Sequence, residues 1–164
     1  MSEPEARIPS HVHLLSRGGL IDMEVSEVRR RLRAAVEEAR KSAAERRGRS
    51  DDAARAYEEF LANRAVPVFH QFAAALTAEG HLFKVFTPVA SVRLASERSH
   101  EAFIELALDE ASDPPTVVGR TSRGRGRRMI SSERPVREHA GVADLTEEDV
   151  LSFLLVEITY FIDR

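Results

Sequence analysis

Arg46-Arg47-Gly48-Arg49-Ser50-Asp51-Asp52 is the stretch whose reading decides the first half of the fold. Gly48 can take the left-handed conformation that ends a helix, and the arginines ahead of it suit the negative end of the dipole. Ser50 can cap a following helix, with Asp51 and Asp52 in a first turn that favours carboxylates. About two residues then separate the helices, which predicts an antiparallel helical hairpin over residues 24–80.

On the near side of that corner, Val25, Val28, Leu32, Ala35, Val36, Ala39 and Ala43 recur at three- and four-residue steps. They predict one apolar helix face from about residue 24 to 47. At 1.5 Å per residue the helix is roughly 35 Å long, so part of it is expected to project or to meet a second copy. Beyond the corner, Tyr57, Leu61, Ala65, Val68, Phe72 and Leu76 carry a second helix over about 51–79. That stripe stays in phase through Pro67, which removes the hydrogen bond to the Asn63 carbonyl and is expected to bend the axis. Phe60 and Phe69 widen the face, and Gly80 is placed to stop the helix.

After Gly80 the period changes from helical to alternating. Residues 81–87 and 89–96 are rich in branched and aromatic side chains, with Pro88 between them as a bulge or edge marker. In 101–109, Ala102, Ile104, Leu106 and Leu108 take one strand face, and Phe103, Glu105 and Asp109 the other. Asp113-Pro114-Pro115 is a turn, and 116–122 with 127–132 read as a hairpin around Arg123-Gly124-Arg125-Gly126. A four- to five-stranded antiparallel meander over 81–134 follows, with one face covered.

Residues 135–144 form a polar linker. Thr146 then caps a last helix over 145–163, with Asp149 three residues on and Leu145 and Val150 at the hydrophobic-staple positions. Leu151, Phe153, Leu154, Leu155, Ile158, Phe161 and Ile162 leave it only a thin polar strip at Ser152 and Thr159. So apolar a helix is wedged into the core or shared with a partner. The expected architecture is α+β: a single domain over 24–164 preceded by an arm over 1–23. In the arm, His11-Val12-His13-Leu14-Leu15 can form a short strand, and Gly18-Gly19 reads as a joint.

The chain has 164 residues, enough for one domain with a real core, and its formal charge of −3 gives no global case for nucleic-acid or membrane affinity. The absence of cysteine excludes disulfides and thiolate chemistry, and fits a reducing compartment. The acidic start leads into no apolar run, and the longest apolar stretch, 150–162, is too short to span a bilayer and carries Glu157. A cytoplasmic protein is expected.

No HExxH, G-x-S-x-G or phosphate-loop spacing occurs, so no catalytic residue, cofactor or metal is expected. The histidines, among them His11, His13, His70 and His81, read as surface or capping residues. Glu157, alone among apolar neighbours, reads as half of an ion pair with an arginine or simply as a position at the helix edge. The leading expectation is a non-catalytic interaction or assembly protein, an adaptor or structural subunit that is itself homo-oligomeric. It would meet a protein partner or its own copy through Leu151, Leu154, Leu155, Ile158 and Phe161. The alternative is a nucleic-acid-binding accessory protein. Its phosphate contacts would be Arg120, Arg123, Arg125, Arg127 and Arg128 on the hairpin, beside the basic first helix.

Overall fold

The computed structural model describes residues 11–16 and 19–162, with side chains from Met23 onward. The chain forms two compact units, Met1–Glu45 and Arg46–Arg164. Elements run β1 (His11–Ser16), β2 (Gly19–Glu24), α1 (Val25–Phe60), a π-helical turn (Leu61–Ala65) and α2 (Val66–Ala78). Then come β3 (Phe83–Phe86), β4 (Ser91–Ser96), β5 (Ser99–Asp109), β6 (Thr116–Arg125), β7 (Arg128–Pro135) and α3 (Glu147–Ile162). The α+β class holds.

In the first unit, β1 and β2 pair antiparallel from His11–Glu24 to Ser16–Gly19, and β2 passes directly into α1. The expected strand at His11-Leu15 is β1. Gly18, half of the expected joint, lies outside the described residues, as do residues 1–10 of the arm and the His11 and His13 rings. From Met23 to Glu45 no residue is buried.

The second unit corrects the expected corner. Arg46 to Asp52 are helical, and α1 runs unbroken from Val25 to Phe60, so a continuous helix replaces the hairpin. A glycine inside a helix costs only about 1 kcal/mol relative to alanine. Its neighbours Ala43, Ala44, Glu45, Ala53 and Ala54 are all compatible with helix. Arg49 is also fixed from outside, donating Nε and Nη2 to the Asp113 carboxylate at 3.1 and 3.0 Å. Just ahead of Pro67, where a bend is expected, the helix makes a π turn. Val66 N–H reaches back five residues to the Leu61 carbonyl, and α2 then starts with proline in its first turn, where no N–H is needed. Gly80 ends α2 with φ +86° in a Schellman motif: Gly80 N–H donates to Thr77 and His81 N–H to Leu76.

The five strands form one antiparallel sheet in the order β3-β4-β5-β6-β7. The hairpin tip is Gly126-Arg127, two residues beyond the sequence expectation, because β6 continues to Arg125, opposite Arg128. Gly126 has φ +63°, which suits the primed turns of two-residue loops. One sheet face, through Val92, Leu94, Ile104, Leu106 and Val117, packs into a common core with Phe69 and Phe72 of α2 and Phe153, Leu154 and Ile158 of α3. Tyr57 of α1 joins it, its hydroxyl donating to the Ala90 carbonyl at 2.8 Å; burial, with the Glu105 charge adding to it, pushes this phenol up.

The start of α3 is built as the sequence predicts. Asp149 N–H donates to the Thr146 hydroxyl at 3.2 Å, and Thr146 N–H donates back to Asp149 Oδ2 at 2.8 Å. Leu145 and Val150, the staple pair, are both buried. Burial pushes the Asp149 carboxyl up, but the Thr146 N–H and hydroxyl and Arg137 outweigh it and hold the group below its usual range.

Candidate interaction surfaces

Of the five apolar positions expected to face a partner, α3 buries two in its own core. Leu154 and Ile158 are 0% and 5% exposed, and Leu151 and Phe161 are half-buried against the core. Leu155 alone stays largely open, at 53%, joined by Val156 and Tyr160, which the sequence reading did not nominate. The reason is Gly119. Lacking a side chain, it lets Phe153 settle onto β6, which turns the Phe153-Leu154-Glu157-Ile158 side of α3 inward.

Glu157, 6% exposed, accepts from Arg134 Nε at 2.6 Å, and the same guanidinium lies 4.4 Å over the Phe153 ring. Next to it the Thr121 and Ser132 hydroxyls share a hydrogen bond of 2.6 Å. No buried polar side-chain atom among the described residues lacks a partner.

The hairpin arginines divide. Arg120 pairs with Glu133, and Arg123 stacks over Tyr160 at 4.4 Å from the ring centre. Arg125, Arg127 and Arg128, at the tip, are exposed. Arg120 belongs to a larger pattern on the sheet face away from the core. Register places Arg93 opposite Glu105, Glu105 opposite Arg120, and Arg120 opposite Glu133, an alternating row across β4–β7. Arg93 Nη2 reaches Glu105 at 2.6 Å and stacks over Phe103 at 4.0 Å, while Glu105 is only 8% exposed. The hydrogen bond to Glu133 raises the Arg120 guanidinium pKa against a smaller effect of burial, and the fields of Glu133, Glu105 and Asp109 add to it.

A groove of about 380 Å³ at the end of α3 is lined by His81, Ser96, Arg98, Arg123, Tyr160 and Phe161. The C-terminal ends of α2 and α3 border it at Gly80 and Ile162, and the negative ends of their dipoles oppose the pull of its arginines on an anion. No three His, Asp or Glu side chains among the described residues gather as metal ligands. No described helix is long and apolar enough to cross a membrane.

A further open apolar surface lies on α1. Val25, Val28, Leu32 and Val36 are 37%, 37%, 61% and 39% exposed, on one helix face. The sequence marked this stripe and raised the expectation that part of its helix projects or meets a second copy. No family model matches the chain, and no curated protein or solved structure does. The functional reading rests on these surfaces.

Proposed function

We propose that this chain is a non-catalytic assembly protein, an adaptor or structural subunit, whose association surface is the α1 stripe of Val25, Val28, Leu32 and Val36. The observation that carries this reading is the exposure of those four side chains in a segment, 23–45, that buries nothing. Scattered surface apolar residues are ordinary, whereas a contiguous stripe marks an interaction site. Leu155, Val156 and Tyr160 on α3 form a smaller second surface. A photoreactive residue at Leu32 is expected to give a protein adduct in cell extract. One at Arg30, off the stripe, is expected to give none. Equal labelling from both positions, or from neither, would count against the stripe.

A second reading, phosphate binding at the hairpin tip, draws on Arg125, Arg127 and Arg128. They are exposed, and their side chains form no hydrogen bond or ion pair with described residues, unlike that of Arg120. If it holds, labelled single- and double-stranded DNA and RNA bind at about 50 mM salt and release steeply by 200 mM. Replacing the three arginines with alanine then removes the binding. No binding at the lower salt leaves the tip without this role.

A further inference from the structure

We infer that the occupant of the α1 stripe is a second copy of this chain, lying parallel and in register. This rests on the assembly reading above and adds the partner and its orientation.

With successive residues about 100° apart around the helix, the stripe of Val25, Val28, Leu32, Ala35, Val36, Ala39 and Ala43 has two unlike borders. Along one lie Arg29, Arg33 and Arg40. Along the other lie Glu27, Glu38 and Glu45, interrupted by Arg31, whose Nε donates to Glu27 at 2.8 Å. When two such helices meet through the stripe, border charges set their orientation. In a parallel pair the two-fold axis runs along the helices, so the basic border of each copy faces the acidic border of the other. In an antiparallel pair arginines would face arginines and glutamates would face glutamates.

The stripe also suits contact with itself. Parallel and in register, Val25, Val28 and Leu32 each meet their own counterpart, and Ala35, Ala39 and Ala43 let the axes approach closely. The β1–β2 hairpin adds a second argument. A two-stranded hairpin alone is marginal in water, and here it leads straight into α1. Parallel helices bring both hairpins to the same end, where their edges can join.

Since the chain has no cysteine, one introduced thiol is its only thiol. Sedimentation of the full chain should give a dimer, and Leu32→Asp, felt twice across the axis, should weaken it at least about a hundredfold. Val28→Cys and Ala39→Cys should each form a disulfide-linked dimer on mild oxidation, whereas Arg30→Cys should not. Cross-linking only in a mixture of V28C and A39C would mean an antiparallel pair and overturn the proposal. A dimer indifferent to both L32D and the stripe thiols would place the contact elsewhere, on α3 for instance, and also overturn it. A monomer at every concentration would end it too. In that case a Leu32 adduct with a different protein would keep the assembly reading alive, and no adduct would end both.

Discussion

Replacing Gly119 with alanine is expected to cost the fold about 3 kcal/mol or more, at the upper end of what an added methyl does in a packed core. A Cβ there would lie 1.9 Å from Cζ of Phe153 and 2.5 and 2.7 Å from its two Cε atoms. Gly119 does not have a positive φ, so its backbone accepts alanine and the whole cost is contact. The ring cannot swing out, being 2% exposed beneath the Arg134 guanidinium. Instead α3 must lift, loosening Leu154, Ile158 and the Glu157–Arg134 pair together. Urea unfolding measures the loss. Adding Phe153→Leu to G119A should recover a good part of it, because the clashing ring is gone. A G119A variant within about 0.5 kcal/mol of the parent, the range of ordinary surface changes, would mean that α3 is not seated there.

Leu154→Ala is expected to destabilise by about 3 kcal/mol, within the range for emptying a fully enclosed leucine site, without altering association. Leu154 has no exposed surface, while its neighbour Leu155 is 53% open. Leu155→Ala should therefore fall within about 0.5 kcal/mol in urea. The two adjacent leucines thus set a buried side chain beside an open one. If L154A left stability intact but reduced the sedimenting mass, the side chain would be facing a partner.

The strands were legible because each carries its own signal: alternation in β5, branched and aromatic runs in β3 and β4, and a glycine turn between β6 and β7. The stop at Gly80 and the start of α3 were equally legible, since Gly80, Thr146, Asp149 and the staple pair act on backbone groups within a few residues of themselves. The corner misled because Gly48, Ser50 and the two aspartates are all permitted in a helix interior at modest cost. What they lacked was any interruption of phase. Ala43, Ser50 and Tyr57 are seven residues apart, so the face continues through the supposed turn.

The surfaces were harder to read. Periodicity says which residues share a face but not what lies opposite it. The same pattern that buries Tyr57, Phe60 and Phe72 leaves Val28 and Leu32 open. On α3, apolar residues surround nearly the whole helix, so the choice of inward side fell to a glycine on β6. The charged row was hidden, for the turn expected around Gly124-Arg125 sets Arg120 against Met129, and only the observed turn at Gly126-Arg127 sets it against Glu133. Extending it to Glu105 needed the alignment across residues 110–115, and to Arg93 the register shift at Ala95 and Ser96, neither of which a local signal fixes.

That row bears on how the sheet avoids mistakes in its own assembly. Alternating polarity detects a strand displaced by one residue, because every side chain then changes face. It is blind to displacement by two, which returns each residue to its proper side. The four charges supply the missing check. Moved two places along β5, Arg120 would stand against Phe103 or Ala107, and Glu105 against Val118 or Ser122. A carboxylate with almost no access to water would lose a cation it faces across the strands. Odd errors are rejected by the oil and even ones by the salt, so the two patterns together leave β4, β5 and β6 one alignment in which every position is satisfied.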